Sequence, residues 1–343
     1  MNVKGLVVKL DKQDKELLQL LQDNFPVEKR PWANLGKILG IPEEEVLSRI
    51  QRLSSDGFIR KLRTILDAKK LNTCSSTLMA MKVPEEKMEG VVNVVNEYMS
   101  VTHNYRREHD YNLWFTVTTC GGKDLGSTVE EIKRRTGIME HDILDLPTTS
   151  VFKIDVRFKF TNGGVKAMTG NSNGNSNGNT NGNSSMNNAD TINKAIIHTT
   201  QERIPLVNEP FAEIAKETGI SQDEVIARLQ ELISVGVIKR LGISVNQRKV
   251  GIVANAVVAW KVPREQVKRV GNMLSAYKEI THCYERVTVP GKWEHNLFTV
   301  IHGYNRESVE ELAKMMSEAI GISDYLVMFS NGQFKRTSVM HPY

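Results

Sequence analysis

GIPEEEVLSRIQRLSSDGFI, residues 40–59, returns 179 residues later as GISQDEVIARLQELISVGVI, residues 219–238. Gly40-Ile41 matches Gly219-Ile220, Val46 matches Val225, Arg49 matches Arg228 and Leu53 matches Leu232. Each stretch reads as a tight turn followed by a helix. Pro42 suits a first helical position, where a missing N–H removes no hydrogen bond. Ser221 and Glu224 have the spacing of a capping box. Gly57 and Gly236 end the two helices, because glycine enters the left-handed conformation that closes a helix at little cost.

Upstream, Leu10, Asp14, Leu17, Leu18 and Leu21 recur at helical spacing across 11–22, and 32–39 makes a second short helix. Downstream, 58–66 and 237–245 read as short ribbons. Helix, turn, helix and wing is a winged helix-turn-helix. The same shift carries Lys82-Val83-Pro84 onto Lys261-Val262-Pro263, and His103-x-Tyr105-x-Arg107 onto His282-x-Tyr284-x-Arg286. The second half then gains five residues, and Asn112-Leu113 meets Asn296-Leu297. A constant shift over so long a stretch marks a tandem of two homologous units that can pair as a pseudo-dimer.

After each wing the pattern alternates strand and helix in the order βαββαβ, a ferredoxin-like unit with helices on one face of its sheet and the other face free for a partner or ligand. Between the halves, NSNGNSNGNTNGNSSMNN at 171–188 has Met186 as its one apolar residue and reads as a flexible linker, extended to about 161–190. The expected fold is α+β in two tandem repeats. Winged helix-turn-helix domains span 1–66 and 191–245, and ferredoxin-like domains span 67–160 and 246–343.

Bulk properties narrow the classes. Forty per cent hydrophobic and 25% charged residues suit globular cores, and a formal net charge of +5 fits nucleic acid or an anionic small molecule without choosing between them. No apolar run approaches the ~20 residues of a membrane span, and no signal-peptide pattern opens the chain, so a cytoplasmic protein with no membrane partner is expected. Cys74, Cys120 and Cys283 are scattered without a CxxC pair, which points to reduced, inert thiols rather than a disulfide or zinc site.

Would the helix-turn-helix bind DNA? A recognition helix brings its N-terminal end close to phosphates. Here those ends are Pro42-Glu43-Glu44-Glu45 and Gln222-Asp223-Glu224. Carboxylates there oppose the backbone neutralisation from which DNA affinity largely comes, so DNA binding is not expected.

The most informative stretches are HNYRREHDYNLWFT at 103–116 and HCYERVTVPGKWEHNLFTVIHG at 282–303. The domain order resembles the leucine-responsive regulator (Lrp/AsnC) family over nearly all of each half. The two stretches further resemble the siroheme decarboxylases of alternative haem synthesis, the first half their A-type subunit and the second their B-type subunit. Glu294-His295 stand where the B-type pattern has Pro-Tyr.

The resemblance implies an iron tetrapyrrole substrate, siroheme, two of whose acetates lose carbon dioxide to give didecarboxysiroheme for haem or d1-type haem. No separate cofactor is implied, since iron belongs to the substrate. Arg107 and Arg286, with Arg106 and Lys292, suit the carboxylate rim. Trp114, Trp293, Phe298, Tyr105 and Tyr284 could pack the ring faces, although Tyr105, Tyr284 and Trp114 serve equally well as sheet or core residues. His103 and His282 are the repeat-matched candidates to protonate the methylene left by carbon dioxide, or to ligate the substrate iron. His109, His295, Asn296 and His302 complete the expected substrate-binding set. Two other readings are a regulator sensing a tetrapyrrole or amino acid, and a tetrapyrrole carrier. Further homo-oligomerisation beyond the internal pair stays open.

Overall fold

The computed structural model of the chain describes residues 10–23, 25–66, 74–120, 124–161, 164–167 and 191–337. The expected linker at 171–188 lies outside the described residues.

In the first half, helices α1 (Lys12–Asp23), α2 (Pro31–Leu39) and α3 (Glu43–Ser55) precede strand β1 (Ile59–Leu66). Then come β2 (Cys74–Met81), α4 (Met88–Glu97), β3 (Val101–Arg107), β4 (Leu113–Cys120), α5 (Leu125–Thr136) and β5 (Ile143–Ile154). A short hairpin, β6 (Phe158–Thr161) and β7 (Gly164–Ala167), follows. The second half repeats the plan with α6 (Thr191–Glu202), α7 (Pro210–Thr218), α8 (Gln222–Ser234), β8 (Ile238–Val245), β9 (Ala254–Trp260), α9 (Val267–Ala276), β10 (Ile280–Arg286), β11 (Leu297–Gly303), α10 (Arg306–Ile320) and β12 (Tyr325–Arg336).

Local chemistry explains the helix-turn-helix. Gly40 closes α2 at φ 68° and Gly219 closes α7 at φ 72°, conformations in which a Cβ would be strained. The Ser221 hydroxyl accepts the Glu224 N–H at 3.2 Å, capping α8. Pro42 stands one residue ahead of α3, as its N-cap, rather than inside it.

The two helix-turn-helix units are not separate bodies. Leu17, Leu21, Trp32 and Ile50 of the first pack in one core with Ile197, Phe211, Val225 and Leu229 of the second. At ~1.5–3 kcal/mol for each fully buried large apolar side chain, this shared core opposes separation of the halves. Polar clasps cross it reciprocally: the Trp32 indole N–H donates to the Val207 carbonyl, and the Gln230 amide donates to the Val27 carbonyl. The wings also differ from expectation. Each half contributes one strand, and β1 pairs antiparallel with β8, with Leu62 opposite Ile243, so the ribbon is shared rather than built within each unit.

The ferredoxin-like sheets, β3-β4-β2-β5 and β10-β11-β9-β12, join at both edges into a closed barrel. One seam pairs β12 with β3, placing Arg336 opposite His103; the other pairs β5 with β10, placing Ile154 opposite His282. The face expected to be free thus meets its counterpart across the barrel, while the helices cover the outside. Strand β12 continues past Phe329 to Arg336. Its extension SNGQFKR reads as polar loop in sequence, and is a strand because β3 of the other half supplies its hydrogen-bond partners. Residues 164–167, within the segment expected to be linker, form β7 and pair with β6.

The cysteine expectation is corrected outright. Cys74 and Cys120 are directly opposite in the β2–β4 register and form a disulfide. Forty-six residues apart in sequence, they carry no local motif, and only strand pairing brings them together. Cys283 is free and buried.

Candidate active site

Strand alternation decides which side of each strand faces the barrel interior. On β3, His103, Tyr105 and Arg107 share the inner face, and on β10 so do His282, Tyr284 and Arg286. Their neighbours turn outward: Asn104 bonds Asn96 on α4, and the Cys283 thiol lies against the Gly271 carbonyl on α9. Arg106 is also outward, in an exposed bidentate pair with Glu85 at 2.6 and 2.8 Å. The structure therefore separates it from the other arginines expected to meet substrate.

One end of the barrel is plugged. Trp114, Trp293 and Phe298 pack with Tyr111, Leu144 and Met328 into an apolar cluster drawn from both halves. Trp114 is 2% exposed and its indole N–H donates to the Tyr111 carbonyl at 2.6 Å; the Trp293 N–H donates to the His295 carbonyl at 2.9 Å. Trp114 is packed within this apolar cluster. Asn296 is structural too: its amide clamps both backbone groups of Val262, as Asn112 clamps Val83.

Beyond the plug, the inward side chains change character. His103, Tyr105, Thr118, His282, Tyr284 and His302 all keep partial solvent access, yet burial dominates the titration of His103, His282, Tyr284 and His302. These half-buried side chains share the inner face of the barrel beyond the plug, and we term the region they border the chamber.

At its base lie Arg107 and Arg286, each 7% exposed. Each donates one guanidinium N–H across the seam, to the carbonyls of Met328 and Leu146 respectively. The Nε of each is buried without a partner, and among the described residues neither has an ion-paired carboxylate. Burial lowers both to about 10. Each guanidinium lies by the tyrosine two residues back, 5.5 Å from the Tyr105 ring and 5.2 Å from that of Tyr284. A buried cation without a counter-ion is costly, so both positions are electrostatically prepared for an incoming anion.

Three histidines line the walls. Burial first, then the Arg336 cation, brings His103 down to about 4. Burial and the neighbouring His302, His103 and Arg336 bring His282 to about 3, and burial with Arg336 brings His302 to about 3. All three are neutral near pH 7. Thr102 and Thr281 hydroxyls hold the Nδ1 atoms of His103 and His282 at 3.0 and 2.9 Å. His302 packs edge-on against Phe158, and among the described residues neither its Nδ1 nor the Oδ1 of Asn255, its register neighbour on β9, has a partner. In the first half the matching pair is Thr118 and Ser76, which bond each other at 3.1 Å. Among the described residues no group of three or more metal-ligating side chains gathers around one point.

The remaining expected residues lie elsewhere. His109, Lys292 and His295 border a cleft of about 400 Å³ on the far side of the plug, together with Lys82, Lys261 and Asp324. His295 is hydrogen-bonded to Asp324 at 3.1 Å, Glu294 pairs with Lys261, and the Lys292 ammonium donates to the Glu140 carbonyl. The substitutions at 294–295 are thus accommodated outside the chamber. Sequence reading missed Arg336, Asn255 and Ser76. Continuing the repeat alignment into β12 would have exposed the first, as an arginine where the other half has Ile154.

Comparison with known proteins agrees with this architecture. A model of the AsnC-like ligand-binding domain matches 70–153 and 249–335, and one of the siroheme decarboxylase NirDL-like HTH domain matches 14–60 and 193–239. The siroheme decarboxylase of Hydrogenobacter thermophilus is 32% identical over 328 residues, covering 95% of this chain and 94% of that protein. The chain belongs to the siroheme decarboxylase family. The beta subunit of the Methanosarcina barkeri siroheme decarboxylase is 43% identical over 44% of the chain and 98% of its own length, so a half of this chain corresponds to a separate subunit there. A crystal structure of the siroheme decarboxylase NirDL with an iron-uroporphyrin III analogue superposes with TM-score 0.69 at 30% identity, covering 96% of this chain and 95% of that one.

The charges of the helix-turn-helix units are largely paired within the chain. Glu43 pairs with Arg30, and Asp223 pairs with Lys29 across the halves at 2.8 Å. Arg49 is committed to Asp11, Asp14 and Glu45, and Arg228 to Glu224 and Asn193. The acidic helix ends and several of the nearby cations are thus paired with one another within the chain.

Proposed function

We propose that this chain is a carboxy-lyase that converts siroheme to didecarboxysiroheme, with the reaction housed in the chamber between its halves. The observation that carries this reading is the repeat-matched pair Arg107 and Arg286, two buried arginines lacking acidic partners beneath a wall of histidines. A tetrapyrrole rimmed with carboxylates supplies the missing counter-ions. The crystallised relative's iron-uroporphyrin analogue is a ligand of that class.

In this reading the arginines seat carboxylates of the macrocycle, and two such anchors bring an acetate against His103 or His282. The bond between methylene and carboxylate breaks, carbon dioxide leaves, and the electron pair passes to the methylene, where the conjugated macrocycle spreads it. A proton from histidine completes the methyl group. Neutral histidines need that proton first, and incoming carboxylates favour its uptake because a nearby negative charge stabilises imidazolium. The chemistry needs no cofactor beyond the substrate's own macrocycle. His103 or His282 could instead take the substrate iron through a neutral nitrogen.

Anaerobic incubation with siroheme followed by mass spectrometry of the tetrapyrrole tests the proposal. Loss of two carbon dioxide units is expected. Tight binding with unchanged mass would indicate a carrier, and absence of binding would overturn the assignment.

A further inference from the structure

The chamber has a pseudo-two-fold axis but its ligand, on the proposed function, does not. Siroheme's two ends differ, so something must decide which end faces which half. Lys153 and Lys335 fix the comparison. The Lys335 ammonium donates to the Tyr98 carbonyl at the end of α4, and Lys153 donates to the matching Tyr277 carbonyl at the end of α9. The next residues are therefore equivalent, and they are Ile154 in one half and Arg336 in the other.

Lys335 reaches outward to the helix, so alternation turns Arg336 inward, opposite His103 in the β3–β12 register. Its guanidinium lies 3.5 Å from the buried Gln247 side chain, and no carboxylate pairs with it among the described residues. Arg60, on the exposed side of the wing strand β1, counts Arg336 among its neighbouring charges and donates to the neutral Asn246 side chain at 3.3 Å. On the opposite side, Ile154 brings no charge and is 46% exposed, and the wing cation Lys239 is turned to the Ile154 carbonyl.

We propose that Arg336, seconded by Arg60, sets which way round the tetrapyrrole lies, by holding a carboxylate on the His103 side for which the His282 side has no equivalent. A carboxylate held by Arg336 would also be attracted to the neighbouring Arg60 cation. The wing, whose counterpart in DNA-binding relatives belongs to a DNA-binding domain, thereby becomes part of the substrate site. The inference rests on the decarboxylase reading.

The test uses the full chain under anaerobic conditions. Siroheme affinity is measured by absorbance titration, and quenched turnover is resolved by chromatography with mass detection into isomers of the singly decarboxylated intermediate. The native chain should give one isomer. Arg336→Gln should lose about tenfold to a hundredfold in affinity, the worth of a hydrogen bond to a charged group, and should release both isomers. Arg336→Lys should keep the native isomer. Ile154→Arg, at an exposed position independent of the Arg336 packing, should also produce both isomers by making the sides alike. Unchanged affinity and isomer composition in both Arg336→Gln and Ile154→Arg would overturn the inference while leaving the activity intact. A native chain that neither binds nor converts siroheme would overturn the decarboxylase reading itself.

Discussion

Arg107 and Arg286 set function against stability within a single side chain. Each brings a charge into the barrel beside a carbonyl and aromatic rings, with no carboxylate partner among the described residues. Replacing a buried, uncompensated charge by an apolar side chain of similar length is often neutral or stabilising. Arg286→Met is therefore expected to leave the melting temperature unchanged or higher while lowering siroheme turnover about 100-fold or more, the effect of removing one or more charge-assisted hydrogen bonds to substrate. A variant that melts lower and turns over normally would make Arg286 a scaffold residue. The histidines carry a second expectation at this scale. Their pKa values in the folded chain, about 3 for His302 and about 4 for His103, lie below the ordinary value of 6.5. Between those limits the unfolded chain binds more protons than the folded one, so stability falls as pH drops from about 6.5 towards 4. His302→Gln should flatten that dependence in melting curves taken across this window, whereas an unchanged slope would count against the burial of His302.

At the scale of elements, the halves are fitted to each other rather than to copies of themselves. Phe152 of β5 packs across the seam on Gly271 of α9, where an added Cβ would meet the ring at 2.6 Å. The first half has Val92 at the position of Gly271, and the second has Phe334, 37% exposed, at the position of Phe152. Gly271→Ala should cost about 1–3 kcal/mol by overpacking, read as a lower denaturant midpoint. The β2–β4 pairing carries its own staple. Closing a 46-residue separation, the Cys74–Cys120 bond should add about 3–4 kcal/mol to the oxidised chain, lost on reduction. Thiol titration of the denatured chain should find one reactive thiol before reduction and three after it; three beforehand would exclude the bond.

For the molecule as a whole, three strand pairings and a common helical core join the halves: β1 with β8, β5 with β10 and β12 with β3. This predicts that residues 1–170 and 189–343, co-expressed as separate chains, co-elute as a one-to-one complex, whereas either alone exposes a barrel edge and an open core and self-associates. Co-elution would agree with the relative whose beta subunit is a separate chain. Independent, monomeric halves would contradict the shared core.

The sequence by itself determined the repeat, the order of elements and the chemistry on β3 and β10. A constant 179-residue shift, helical and alternating apolar periods, and the twice-written His-x-Tyr-x-Arg are local properties that survive without coordinates. What only the tertiary structure decided depends on pairings between distant segments. The alternation that makes His103 and Arg107 inward makes Arg106 outward, but which face was inside required the second sheet. Trp114, Trp293 and Phe298 look like ring-packing residues in sequence and form a plug because the barrel closes around them. Arg336 lies in a segment that reads as loop until β3 offers it hydrogen bonds, and Cys74 meets Cys120 only through register. Hydrogen-bond partners and counter-ions supplied from more than 40 residues away leave no periodic trace in the chain, and those partners determine which of the expected residues share one chamber.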